Sequence, residues 1–318
     1  MKMELNQKIP QRVAFGNALV ELGNEYKNLV VLDADVAPST QTYLFGQAFP
    51  DRFYEIGIAE QNMTGIAAGM STQGLIPFVS AFAVFMVHRA GDQIRNSIAH
   101  PRANVKINGA YAGLPTGRAG ATHSAFEDLA VMRSLPNMTI FEPGDPRETE
   151  LFTRMAVELD GPVYLRTVRC DMPVIFDQSH KVVLGKAVPM TKGSDISIIS
   201  TGMMTARALE AVKILEKQGV SVELIHMPTI KPIDRDVIEQ TARNTGMIIT
   251  VENHSVIGGL GSAVCEVVAE TVPCKVFRVG YQDIFLQSGD DEVLFDRYGL
   301  STGAIVNKVL EVLKNSKK

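Results

Sequence analysis

Glu60 stands among small apolar residues, with Gly57, Ile58 and Ala59 before it and Gly65, Ile66 and Ala67 after it. A carboxylate in such surroundings is costly unless it has a partner. Phe82 and Phe85 recur at i, i+3, and His88 follows three residues on. That spacing puts three rings on one face, which on its own is more often core than a ligand pocket. Glu60 alone fits a solvated helix position as well.

These residues need strands to bring them together. LVVLDAD (Leu29 to Asp35) is a continuous apolar run ending in polar residues, as a buried parallel strand should be. Leu75 to Ser80, Val105 to Ala110, Met138 to Phe141 and Val163 to Thr167 read alike, with helices over Glu60 to Met70 and Val84 to Ile98. Asp145 as N-cap, Pro146 at the first position and Glu148 in the first turn announce another helix. A second series has strands at Ile196 to Ser200, Val222 to His226, Met247 to Val251 and Lys275 to Val279. Its helices are Ala206 to Gln218, closed by Gly219, and Gly261 to Thr271. Pro173, Pro189 and the polar stretch Thr191 to Asp195 suit a linker. The pattern predicts an α/β chain with two tandem doubly wound domains, divided near residue 185. Ligands bind outside the carboxyl ends of strands in such sheets, so the segments after the first strands should converge.

Lys and Arg number 31 against 35 Asp and Glu, a formal net charge of −4, so no basic excess serves a nucleic-acid backbone. A hydrophobic content of 46% and a mean hydropathy of +0.08 supply large cores and exclude a mainly disordered chain. The longest apolar stretch, Leu75 to Val87, contains Pro77 and Ser80 and is too short for a bilayer. MKMELNQKIPQR has no apolar core of a secretory signal. Cys170, Cys265 and Cys274 lack metal-ligand spacing and read as reduced thiols of a cytoplasmic protein. Neither a GxxxxGK(S/T) loop nor HExxH occurs. Gly258-Gly259-Leu260-Gly261 lacks the third glycine of a dinucleotide fingerprint, so close helix–strand packing is its plainer reading.

FYEIGIAEQNMTGIAAGMSTQG resembles the pyrimidine-binding signature of the transketolase family of thiamine-diphosphate enzymes. DADVAPST, SAFAVFMVHRAGDQIR and GATHSAFEDLA are similar to segments of that family in the same order. STGMMTARALEAVKILEKQG, MPTIKPID and VENHSVIGGLGSA resemble its carboxy-terminal domain, and the likeness runs from Arg12 to Lys308. It implies a pyrimidine-binding domain over 1–184 and a smaller carboxy-terminal domain over 185–318. Transketolases also need an amino-terminal domain that holds the diphosphate and a divalent cation through a GDG…N motif. Gly144-Asp145-Pro146 and Gly289-Asp290-Asp291 lack its context. The resemblance therefore implies one subunit of a split transketolase. An amino-terminal partner subunit would hold Mg2+ or Ca2+, in a complex with two copies of each chain.

By that resemblance Glu60 hydrogen-bonds N1′ of the aminopyrimidine and favours the tautomer whose exocyclic nitrogen takes the C2 proton. A carboxyl group in an apolar site has a raised pKa and can share a proton with the ring nitrogen N1′. Phe85 stacks on the pyrimidine, Phe82 and His88 line the same pocket, and Asp35 and Val36 lie beside the thiazolium. His123 matches the histidine that contacts the donor's oxygens near C2, where imidazole can both donate and accept. A cap on the following helix is its alternative. Arg12, Ser39 and Arg169 match contacts to the sugar's terminal phosphate, for which guanidinium forks suit a tetrahedral oxyanion. Surface ion pairs are the alternative for the arginines.

The chemistry implied is transfer of a two-carbon ketol unit from a ketose to an aldose. Two departures bear on the substrate. Arg118-Ala119-Gly120 replaces the acidic residue common before the histidine, and Tyr111 stands roughly where full-length transketolases carry another substrate histidine. They point to an anionic sugar other than the standard pentose phosphates, such as a sulfonate or a branched sugar phosphate. Arg118 would join Arg12 and Arg169 in a positive pocket mouth, or else face solvent or the partner chain. A beta subunit of a 2-oxo-acid dehydrogenase would use the same Glu60 to feed a lipoyl carrier, and a non-catalytic assembly subunit is the remaining reading. IAEQNM and KPID favour transketolase.

Overall fold

Leu29–Asp33 is buried at every position, and its alternate residues serve two cores. Val30 and Leu32 pack with Met63, Ala67 and Val79, whereas Leu29 and Val31 pack with Phe15, Leu19 and Phe78. This is the period-two signature of a strand covered on both faces. The computed structural model describes residues 3–316.

The first half of the chain contributes β1 (Lys8–Pro10), β2 (Leu29–Asp33), β3 (Phe53–Glu55), β4 (Ile76–Phe82), β5 (Lys106–Ala110), β6 (Thr139–Phe141) and β7 (Val163–Arg166). A further strand, β8 (Asp171–Pro173), returns antiparallel to β1. Strands β2 to β7 form a parallel sheet in the order β6-β7-β5-β4-β2-β3. The chain passes from β2 outward to β3, then crosses back to β4 on the other side. Connections diverging from β2 open a crevice at the carboxyl ends of the strands, the usual ligand position in doubly wound sheets.

The second half contributes β9 (Val188–Thr191), β10 (Ile196–Ser200), β11 (Val222–His226), β12 (Thr229–Lys231), β13 (Met247–Ser255) and β14 (Lys275–Tyr281). Five of these make a sheet ordered β14-β13-β10-β11-β9, with β9 antiparallel at one edge. Part of the expected linker is therefore strand: Pro189 and Thr191 lie in β9, and a proline is tolerated at a sheet edge. The remaining strand, β12, leaves its own half and pairs antiparallel with β6, completing a seven-stranded first sheet. Arg166 adds a buried junction, bonding Asp128 and Glu142 in the first half and the Asn253 carbonyl in the second.

The helix Pro146–Glu158 starts as its cap requires, with the Asp145 carboxylate accepting from the Glu148 amide at 2.7 Å. Val84 to Ile98 is not the single helix expected. It breaks into Ala83–Arg89, Gly91–Gln93 and a wider π-helical segment, Ile94–Ala99, with the first break at Ala90. The unforeseen helix Gln11–Glu25 carries Arg12 in its first turn. Among the described residues, no helix is long and apolar enough to cross a membrane.

Candidate active site

Glu60 opens the helix Glu60–Ser71, directly after the loop that follows β3, and is only 4% exposed. Its surroundings are not wholly apolar, because Oε1 accepts a hydrogen bond from Arg89 Nη1 at 3.0 Å. Arg89 follows Phe85 by one helical turn, and its guanidinium lies 4.0 Å from the centre of that ring. Glu60, His88 and Arg89 border a cavity of about 670 Å3 together with Ile58, Gln61 and Asn62.

Phe82 ends β4, so its ring and that of Phe85 reach the crevice from consecutive elements. They stack with centroids 5.7 Å apart, and Phe82 stacks more closely on Tyr111, at 4.3 Å and 13°. The His123 ring meets Phe85 edge-on at 5.4 Å and Phe82 at 6.3 Å. His123 does not cap the next helix: Asp128–Ser134 has Glu127 at its N-cap, and Nδ1 of His123 faces the Thr122 hydroxyl at 2.9 Å. His88 borders the same cavity as Glu60 and turns its Nε2 to Glu127.

Beyond the aromatic rings lies a cationic end. Arg12 Nη1 donates to the Tyr111 hydroxyl at 3.1 Å and to the Ser39 carbonyl at 3.3 Å, while its buried Nε has no hydrogen-bond partner. The Arg169 guanidinium lies 5.5 Å from the Tyr111 ring centre. Tyr111 is thus the piece between Phe82 and the two arginines. The loop bearing Val36 and Ser39 is anchored by buried Asp33, which accepts from the Val36 amide and from the Thr40 and Thr42 hydroxyls, each at 2.7 Å. Burial dominates there and pushes the Asp33 pKa up to about 6. Asp35 itself is exposed, in the left-handed region at φ +61°, and its amide is tied to Glu55.

Arg118 takes the solvent-facing of its two expected positions. It is largely exposed and donates to Asp290 Oδ1 at 2.8 Å. With Arg169, Asp290 and Asp291 it borders a separate cavity of about 270 Å3, where two carboxylates accompany the two guanidiniums. Sequence reasoning also passed over Arg89, whose only local signal is its one-turn spacing from Phe85. The glycine cluster is packing, as read: the Glu252 carboxylate accepts from the Leu260 and Gly261 amides, where a phosphate would sit.

Residues 7–174 match the transketolase pyrimidine binding domain, and residues 185–305 match the transketolase C-terminal domain. The chain belongs to the transketolase family. It is 43% identical over 306 residues to a putative transketolase C-terminal section of Methanocaldococcus jannaschii, covering 95% of this chain and 96% of that one. It is 37% identical over 301 residues to the 6-deoxy-6-sulfo-D-fructose transketolase subunit SqwH of a Clostridium species, covering 95% and 94%. A solved structure described as a split gene transketolase, inactive β4 tetramer, is similar at a TM-score of 0.90 and 47% identity, covering 96% of this chain and 99% of that one. By domains and extent, this chain stands with the carboxy-terminal subunits of split transketolases.

Proposed function

We propose that this chain supplies the pyrimidine-binding half of a split transketolase that moves a two-carbon ketol unit from an anionic ketose to an aldose. The carrying observation is the nearly buried carboxylate of Glu60 beside a cavity, joined through Arg89 to the Phe85 ring of an aromatic pair, at the carboxyl ends of β3 and β4. These groups fit an aminopyrimidine in two respects: the Glu60 carboxyl can meet a ring nitrogen from the cavity wall, and the Phe85 ring can orient the heterocycle once Arg89, which lies over it, moves aside.

When bound, thiamine diphosphate supplies a nucleophilic carbon at C2 of its thiazolium ring. Glu60 would hold a proton at the ring nitrogen it meets. Phe82 and Phe85 would fix the plane of the heterocycle, with His88 at the rim. Asp35 and Val36 would border the thiazolium side. His123, at the edge of both rings, would exchange a proton with a sugar hydroxyl near the reacting carbon. The unpartnered Nε of Arg12, with Arg169 and Ser39 beside it, would receive the sugar's terminal anion.

Among the described residues, no group of three or more His, Cys, Asp or Glu side chains could hold a metal ion. We assign Mg2+ or Ca2+ and the diphosphate to an amino-terminal partner, in an assembly of two copies of each chain. The inactivity stated for the β4 relative supports that dependence. The free thiols of Cys170, Cys265 and Cys274 favour a cytoplasmic setting.

The test combines this chain with an amino-terminal transketolase subunit, thiamine diphosphate and Mg2+, and follows ketol transfer from sugar phosphates and sugar sulfonates. Transfer by the mixture and none by either chain by itself is the expected result. Substantial transfer by this chain without a partner, or lipoyl reduction in place of ketol transfer, would overturn the proposal.

A further inference from the structure

The loop of residues 113–120 leads into His123, yet much of what holds it belongs to the other half of the chain. Leu114 is fully buried in the core of the second half, in one cluster with Leu286 and Leu294. Its amide donates to Asn253 Oδ1 at 3.0 Å. Gly117 bonds in both directions: its amide donates to Asp291 Oδ1 at 3.0 Å, and its carbonyl accepts from the Gly289 amide at 3.0 Å.

Three loop glycines stand where the second half presses closest. A Cβ on Gly117 would come 2.7 Å from Asp291 Oδ1 and 2.8 Å from the Gly289 carbonyl, and one on Gly120 would come 2.5 Å from Ser288 Oγ. One on Gly113 would collide with the Asn253 amide group. Gly113 and Gly120 also hold positive φ, at +68° and +74°, so substitution there is doubly disfavoured.

From this clamp the chain runs to His123 with little slack. The Gly120 carbonyl accepts from the His123 amide at 3.1 Å and from the Ser124 hydroxyl at 3.1 Å, and Thr116 meets Ser124 at 3.2 Å. Displacing residues 117–120 therefore displaces His123 relative to the Phe82–Phe85 pair.

We propose that the carboxy-terminal half acts as a positioning device, in which Asp291, Asn253 and the Gly289 backbone set the loop that places His123 against the donor sugar. The inference rests on the reading of His123 as a substrate contact. Asp291 is a positioning residue, acting through Gly117.

The experiment compares Asp291→Ala with Asp291→Asn, which keeps an acceptor oxygen for the Gly117 amide. Hydrogen exchange of residues 113–124 is measured in the full chain, and KM for the donor and Kd for thiamine diphosphate in the two-subunit enzyme. Loss of one hydrogen bond to a charged acceptor corresponds to about ten-fold or more. Asp291→Ala should speed loop exchange and raise donor KM by about that factor, with cofactor Kd unchanged, and Asp291→Asn should restore most of both. Unchanged loop exchange in folded Asp291→Ala, equal losses in both variants, or a cofactor Kd rising in step with KM would overturn the clamp. Faster loop exchange in a chain that supports no ketol transfer in any complex would instead support the clamp and defeat the ketol-transfer reading.

Discussion

Arg89 touches both groups assigned to one heterocycle: it donates to Glu60 at 3.0 Å while its guanidinium lies over the Phe85 ring at 4.0 Å. Its side chain is 49% exposed, whereas that of Glu60 is 4% exposed. Water screens one partner, so the pair contributes about 1 kcal/mol rather than the several of a fully buried pair. Arg89→Met keeps an apolar stem over Phe85 and removes the cation. It should lower stability by about that amount in urea unfolding, and adding Glu60→Gln should then cost less than in the parent. Strictly additive losses would show that the contact carries no coupling energy.

Glu60→Gln should leave the subunit folded and able to assemble, because the amide is nearly isosteric. It cannot share a proton with a ring nitrogen as a carboxyl can. Turnover in the reconstituted enzyme should fall by about 10²- to 10⁴-fold, and proton exchange at C2 of the bound cofactor should slow in parallel. Unchanged exchange kinetics would remove Glu60 from that role.

Arg12 and Arg118 should behave differently. The buried Nε of Arg12 lacks a partner, whereas Arg118 is exposed and already occupied by Asp290. Loss of a charge-assisted contact costs about 1.5–3 kcal/mol, or about 10- to 150-fold. Arg12→Ala should raise KM by that factor for an anionic sugar and far less for an uncharged short aldehyde. Arg118→Ala should affect both substrates alike, as loss of a surface ion pair does. The reverse ranking would move the anion site to the Arg118 loop.

Glu148 ties the halves through acid-sensitive bonds. It accepts from His226 Nε2 at 2.7 Å, His180 Nε2 at 2.9 Å and the Gly144 amide at 2.8 Å. Burial by itself would raise its pKa, but the imidazoles and the amide outweigh it and hold the carboxyl at about 2, below the usual 4.5. A depressed acid stabilises the fold fully above pH 4.5 and loses that contribution as pH falls toward 2. Glu148→Gln should be less stable by about 1.5–3 kcal/mol at neutral pH, with the gap closing across that window in urea titrations. Asp145 is pushed up to about 6 by burial first and in part by the Glu148 carboxylate, so Glu148→Gln also lowers the Asp145 pKa. The difference near pH 6 therefore belongs partly to Asp145, whereas that below pH 4.5 reads Glu148. A gap independent of pH would deny the ionic character of the link.

Strand β2 was legible because a strand buried on both faces is apolar at nearly every position, and the Asp145 cap was legible because its bond spans three residues. Glu60 was legible as a carboxylate in an apolar stretch, but its cation was not. Arg89 meets it only because β3 and β4 deliver two helices to one crevice. The same holds for Arg118 and Asp290, brought together from opposite halves. The break at Ala90 escaped notice because the apolar period of Met86, Ala90, Ile94 and Ile98 continues through it and reads as one helix. Strand β12 has only three residues, and its partner lies in the other half, so no local pattern announces it.

That strand makes the two halves poor interchangeable modules. Thr229 pairs with Phe141 and Lys231 with Ile140, and the Lys231 ammonium also holds the Arg133 and Leu135 carbonyls at 3.0 and 2.6 Å. A polypeptide ended near residue 185 would leave β6 with bare N–H and C=O groups, an invitation to pair with another chain. Chimeras that trade the second half between relatives must therefore import a matching staple for β6, together with a cation able to reach the two carbonyls that Lys231 now holds.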